Sequence, residues 1–179
     1  ADNFNGKGEN GIESLFEVQF TGNREGGVDE RTPFNYEVAP GALDGWQLFY
    51  PSDWLMTEMM NDKTATGEFS ERVYESVYFD DPNSVMKYAD GDEKATMAKV
   101  RLDKEDDNAF TFPYYFKKYS EYTDRDGSYV GTNINVMRFA DVLLMYAEAL
   151  NENNKTAEAI TQINRVRDRS NVVPLGVTS

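Results

Sequence analysis

Apolar and polar positions alternate with period two early in the chain. Within Ile12-Glu13-Ser14-Leu15-Phe16-Glu17-Val18-Gln19-Phe20, the residues Phe16, Val18 and Phe20 alternate with Glu17 and Gln19. That pattern, with aromatic and β-branched residues, predicts a half-buried strand over 12–20. Residues 1–11 are rich in Gly, Asn and Asp and read as an opening loop. Residues 21–50 carry Gly22, Gly26, Gly27, Pro33, Pro40, Gly41 and Gly45 and read as one long loop. A loop of that length in a compact domain is often functional. It ends at Trp46-Gln47-Leu48-Phe49-Tyr50-Pro51. Ser52 then suits an N-cap and Asp53 the first turn of a short helix running to about Asn61, with Trp54, Leu55, Met56, Met59 and Met60 along it. Arg72 to Phe79 reads as a strand, Val73 and Val77 sharing a parity, and Asp80-Asp81-Pro82-Asn83 as a turn. Residues 83–110 hold few signals, with a solvated bend expected from Asp103 to Asn108. Phe112 to Tyr119 is aromatic and strand-like, and Asp124-Arg125-Asp126-Gly127-Ser128 is a turn.

The pattern changes period at the end of the chain. Asn135 or Val136 leads into Arg138–Leu150, where Leu143, Tyr146, Ala147 and Leu150 share one face at helical spacing. Asn151-Glu152-Asn153-Asn154 is a turn, and Thr156 is the expected cap of a second helix to about Arg169, with Ala159, Ile160, Ile163 and Val166 inward and Pro174 beyond its end. Small residues at Ala147 and Ala159 let the two helices approach. This is an antiparallel hairpin of the tetratricopeptide kind, built on a ~34-residue unit. One such hairpin cannot bury its outer face, so neighbouring elements are expected beside it. The fold class is therefore α+β and helix-rich: a loop-rich region with short strands over 1–134, with a helix near 52–61, then a TPR-like helical hairpin over 135–179, both in one lobe.

Charge and composition narrow the chemistry. The chain has 179 residues, enough for one domain or lobe with a real core. Its 18 basic against 32 acidic residues give a net charge of −14. That excess repels phosphate backbones and anionic lipid surfaces, so neither nucleic acid nor direct lipid docking is expected. It suits a neutral partner such as a sugar, or a protein, and it also keeps a protein soluble. The sequence contains no His and no Cys, which removes disulfides, thiolate metal sites and every His- or Cys-dependent catalytic dyad or triad. No stretch approaches the ~20 apolar residues that span a bilayer. The chain opens at Ala1 without Met, and a processed or excised portion of a longer protein is expected.

Arg138-Phe139-Ala140-Asp141-Val142-Leu143-Leu144-Met145-Tyr146-Ala147-Glu148-Ala149-Leu150-Asn151-Glu152 closely resembles the signature helix of the SusD/RagB family. The resemblance runs on through Ala159-Ile160, Ile163-Asn164 and Val166-Arg167-Asp168-Arg169, and earlier segments follow the family's order: Glu13–Phe20, Pro51-Ser52-Asp53 with Leu55-Met56, and Lys117-Lys118-Tyr119. It touches most of the chain. Ser70-Glu71-Arg72 stands where the family usually has Asp-Pro-Arg, and the family's helical N-terminal half and the segment after the hairpin have no counterpart here. The resemblance implies a non-catalytic, lipid-anchored protein at the bacterial outer-membrane surface that binds glycans and caps a SusC-type TonB-dependent porin. No cofactor is implied, and the membrane is reached only through a lipid anchor. The alternative is a protein-interaction scaffold that contacts the transporter, with no sugar site in this portion.

Sugars present apolar C–H faces and rings of hydroxyls, which flat aromatic rings and amide or carboxylate groups complement. The candidate ligand residues on that ground are Trp46, Gln47, Tyr50, Trp54 and Tyr78. Trp54 falls where the resemblance implies a polar, exposed residue. Against the sugar reading, large aromatics are most often core or lobe-interface residues. Residues 124–128 show part of a calcium-loop pattern, but Tyr122 stands two positions ahead and Asn133, not Glu, at the closing position, so no metal is expected. Among 32 acidic residues no motif selects a catalytic pair.

Overall fold

The computed structural model describes residues 2–22, 30–87, 94–104, 111–120 and 129–176. Across them it has six α-helices, six short strands and two 3-10 turns, Asp2–Phe4 and Gly41–Leu43. The strands are β1 Ser14–Val18, β2 Val77–Tyr78, β3 Val85–Lys87, β4 Lys94–Thr96, β5 Tyr115–Phe116 and β6 Ile134–Arg138. They pair antiparallel into three two-stranded sheets, β1–β6, β2–β5 and β3–β4. The helices are α1 Phe34–Val38, α2 Asp53–Asn61, α3 Glu71–Ser76, α4 Met97–Lys104, α5 Phe139–Glu152 and α6 Thr156–Asp168. The class is α+β. None of the described helices is long and apolar enough to cross a membrane.

The strand expected at 12–20 is β1, but its inside and outside are exchanged. Leu15, Phe16 and Val18 are exposed, and the buried residue is Glu17, at 8%. Two causes act together. The register against β6 shifts on either side of Phe16, and each shift by one residue turns side chains to the opposite face. The Glu17 carboxylate also has partners inside: it accepts from the Asn10 amide at 3.1 Å and from Asn133 Nδ2 at 2.9 Å. Burial pushes its pKa up, but the hydrogen bonds from Ser14, Asn133 and Asn10 outweigh that and hold it below the usual glutamate value.

The segment 72–79 is not a strand but α3 followed directly by β2. Val73 and Val77 are both buried, and a spacing of four puts residues on one face under either period, so parity could not separate the two structures. Its partner β5 takes only Tyr115–Phe116 from the aromatic run. The stretch 83–110, read as nearly featureless, supplies β3, β4 and α4. Their buried Met86, Ala95, Met97 and Val100 join Ala39, Ala42, Leu43, Tyr78 and Tyr115 in the largest core cluster. Apolar positions that sparse carry no readable period. The expected bend lies partly in α4, and residues 105–110 fall outside the described ones. A second cluster, Met56, Val73, Val77 and Phe79, joins α2 to α3 and β2.

The hairpin is present as α5 and α6, preceded by β6 at the residues expected to begin the first helix. Ala147, Leu150 and Ala159 pack with Ile163, and Ala140 and Leu143 pack with Val166. Tyr146, expected inward, is exposed. The inner stripe is Ala140, Leu143, Ala147 and Leu150, and Tyr146, one residue before Ala147, is rotated off it by about 100°. Lys155, not Thr156, is the cap residue of α6; the Thr156 hydroxyl instead bonds Asn151 Oδ1 at 3.1 Å. The turn closes with Asn154 at φ 59° and Lys155 N–H donating to the Leu150 carbonyl at 2.9 Å.

Candidate functional site

Residues 46–54 form an exposed aromatic ribbon. Trp46 is 45% exposed and Trp54 71%, and Leu48, Phe49 and Tyr50 between them are also largely in solvent. Five large apolar side chains exposed within nine residues are far more than single surface hydrophobics, which need no explanation.

The backbone of α1 holds this ribbon. Trp46 N–H donates to the Tyr36 carbonyl at 2.6 Å, and Leu48 N–H to the Glu37 carbonyl at 2.8 Å. Gly45 permits the approach: a Cβ there would lie 2.0 Å from the Ala39 carbonyl oxygen. The Trp46 ring leans on the buried Tyr36 ring at 6.1 Å. Tyr50 lies flat on Phe112, with centroids 3.7 Å apart and planes 15° apart. Trp54 stands in the first turn of α2, where the Ser52 hydroxyl accepts from the Leu55 amide at 3.2 Å as expected of a cap.

Three of the five candidates, Trp46, Tyr50 and Trp54, thus lie on one exposed stretch. The other two need correction. Tyr78 is 0% exposed, in the central core beside Tyr115 and Met86, because β2 buries both its residues; it has no face for a ligand. Gln47 is half-buried at φ 57°, and its Oε1 accepts from Tyr115 Oη at 2.7 Å and from the Thr111 amide at 3.2 Å. Its carbonyl is committed to tying the ribbon to residues 111–115. Phe112, which completes the Tyr50 stack, was not among the expected residues. It lies 62 positions away in sequence, and nothing local signals that pairing.

Exposed, ordered ring faces with neighbouring backbone groups can cover the C–H face of a pyranose ring. Among the described residues no group of three or more His, Cys, Asp or Glu could hold a metal ion. The calcium-like turn at 124–128 lies outside the described residues.

Comparison with solved structures gives the same fold. A SusD superfamily protein from Bacteroides vulgatus aligns at a TM-score of 0.73 and 24% identity, covering 97% of this chain and 35% of that one. Surface glycan-binding protein A from Bacteroides thetaiotaomicron, solved in complex with laminarihexaose, aligns at a TM-score of 0.64 and 18% identity, over 99% of this chain and 39% of that one. SusD-like protein P38 from Formosa agariphila is 27% identical over 183 aligned positions, 93% of this chain and 32% of P38. The chain therefore spans about a third of the length of these relatives. The SusD family pattern covers residues 12–179, which include the signature helix and every residue of the aromatic ribbon, and the chain belongs to the SusD family.

Proposed function

We propose that this chain contributes a glycan-binding surface to a non-catalytic SusD-type surface lipoprotein of the outer membrane, working with a SusC-type TonB-dependent transporter. We take residues 1–134 and 135–179 as parts of one lobe in that protein. The observation that carries the reading is the ribbon Trp46, Tyr50 and Trp54, exposed yet tied down by backbone and side-chain bonds. A preordered aromatic surface loses little entropy on binding, which is what a weakly polar ligand requires. The glycan complex of a family relative supports the ligand class.

The test is a tryptophan fluorescence titration of the chain with laminarihexaose and a panel of neutral polysaccharides. A saturable shift is expected, weakened about tenfold, or ~1.4 kcal/mol, in Trp54→Ala or Trp46→Ala. A folded protein that responds to none of them would remove this ribbon as the sugar surface.

A second reading is a scaffold that contacts the transporter, with no sugar site in this portion. It is favoured by other exposed apolar residues: Leu15, Phe16 and Val18 on β1, Val136 and Met137 on β6, and Leu144 on α5. Leu144→Glu would then abolish co-purification of the longer lipoprotein with its transporter while Trp54→Ala leaves it intact; the opposite pattern rejects this reading.

A further inference from the structure

A cavity of about 550 Å³ opens between the 3-10 turn at Asp2–Phe4, α3, Lys118 and the hairpin, apart from every ribbon residue. That is the size of pocket that takes a small ligand. Four cations line it: Arg72, Lys118, Arg138 and Arg169. In a chain of net charge −14 such a concentration of positive groups is not a matter of composition.

Four acids line it as well, Glu13, Glu71, Glu75 and Asp141, and they offset the cations only in part. Glu13 is taken by Arg169, whose Nη1 donates to both its oxygens at 2.9 Å. Asp141 accepts from the Arg138 backbone amide at 2.9 Å, closing the start of α5. Glu75 faces Lys117 at 3.6 Å. Glu71 and the Asp141 carboxylate, whose bond to a neutral amide leaves its charge in place, remain against Arg72, Lys118 and the Arg138 guanidinium, three cations to two acids. Among the described residues neither Arg72 nor Lys118 has a carboxylate in ion-pair distance. The Lys118 ammonium and the Arg138 guanidinium lie over the Phe4 ring, at 4.8 and 5.1 Å from its centroid, and a ring face supports a cation only weakly compared with an anion. Half-buried cations without an acceptor are costly. The field agrees: burial first, then Arg138, Arg72 and Arg169, push the Lys118 pKa down to about 8 against the opposing pull of Asp141.

We propose that this cavity is an anion site that takes the carboxylate of a small ligand, held by Arg72, Lys118 and the Arg138 guanidinium over the Phe4 ring. The guanidinium fork matches a carboxylate in two bonds and the ammonium adds a third. Glu71 and Asp141 on the wall set the charge: they tolerate a monoanion and repel a phosphate dianion. The carboxylate can arrive on an acidic sugar or on an acidic amino-acid side chain, and the two differ only in what else fills the cavity.

The test is a calorimetric titration of the chain, at fixed ionic strength, with sodium glucuronate and with N-acetylglutamate, against glucose and inorganic phosphate. Saturable carboxylate binding is expected, reduced about tenfold or more in Lys118→Met and in Arg72→Met, unchanged in Trp54→Ala, with glucose silent. Tighter glucuronate assigns the sugar acid; tighter N-acetylglutamate assigns the polypeptide side chain. Should Lys118→Met fail to fold, the Lys118 side-chain resonances of the unaltered chain must shift on titration, and Lys118→Arg must retain binding. No saturable binding of either carboxylate up to about 10 mM, or phosphate binding tighter than both, overturns the proposal. Failure here leaves the glycan reading of the ribbon untouched, because the fluorescence titration with neutral glycans decides that one.

Discussion

Tyr115→Phe removes one oxygen from the core, and the structure says what that oxygen does. Tyr115 Oη donates to Gln47 Oε1 at 2.7 Å and accepts from the Phe112 amide at 2.7 Å. The Tyr115 ring is wholly buried and both bonds are partly buried, so water replaces them poorly. The variant strands the Phe112 N–H and weakens the acceptor environment of Gln47. Leaving one buried donor unsatisfied costs about 1–3 kcal/mol, and the lost neutral bond adds about 1 kcal/mol, so a loss of about 2–4 kcal/mol is expected. For a chain of this length that is about 4–16 °C in Tm. The assay is urea unfolding followed by circular dichroism, run on Tyr115→Phe, Gln47→Ala and the double variant. A double-mutant coupling of about 1 kcal/mol or more is expected, since the two side chains share one bond. Function should follow in a defined way. The same knot fixes Phe112, which carries the Tyr50 stack, so glycan affinity should fall about three- to tenfold although Tyr115 is itself wholly buried. A loss of stability below about 0.5 kcal/mol in Tyr115→Phe, with additive effects in the double variant, would refute the claim that this bond holds the ribbon.

Other consequences are equally open to measurement. The Glu17 carboxylate, held below its ordinary pKa, is charged in the folded chain at pH values where the unfolded chain has begun to protonate; it stabilises above about pH 4.5 and loses that contribution as pH falls through the folded value. Glu17→Gln should therefore unfold at lower urea than the parent at pH 7, with the gap closing toward pH 3. Lys118 has the opposite linkage. With a folded pKa of about 8 against 10.5, the unfolded chain binds more protons between those values, so stability rises with pH across that window, by at most about 3 kcal/mol; the rise should vanish in Lys118→Met. Ala147→Leu should cost about 1–3 kcal/mol by overpacking the α5–α6 contact at Leu150 and Ala159, read as an earlier thermal transition by circular dichroism.

What the sequence made legible follows from range. The Ser52 cap and the α5–α6 hairpin are signalled within a few residues: a hydroxyl before a helix, and apolar residues recurring at three and four. Trp46, Tyr50 and Trp54 stood out by residue type. What failed was set by distant partners. Val73 and Val77 could not tell helix from strand because four positions fit both periods. Tyr78 became core because Tyr115, 37 positions on, pairs with it. Phe16 and Val18 turned outward because Glu17 found Asn133, 116 positions away. The anionic net charge pointed away from anions, yet Arg72, Lys118, Arg138 and Arg169 converge on one cavity from four separate segments, a local field that no sum over composition reveals.

The outward face of β1 and β6 bears on how this chain is built to work. A two-stranded sheet with Leu15, Phe16, Val18, Val136 and Met137 exposed is marginal alone, so something other than core burial must hold it. That role falls to Asn133, which is 2% exposed. Its Oδ1 accepts from the Phe20 amide at 2.9 Å, its Nδ2 donates to Glu17 at 2.9 Å and to Gln19 at 3.0 Å, and its own amide donates to Glu9 at 2.7 Å. The two bonds to the Glu17 and Glu9 carboxylates are charge-assisted, about twice as strong as neutral ones. A polar hub on the inner side thus fixes a strand whose apolar residues point out, and those residues stay in register without a partner to order them. A surface ordered before binding spends little entropy when it is covered. The aromatic ribbon follows the same logic, its backbone held by α1 carbonyls and by the Gln47–Tyr115 bond. Both regions use polar bonds to hold apolar groups in solvent, the arrangement that the two proposed binding roles require.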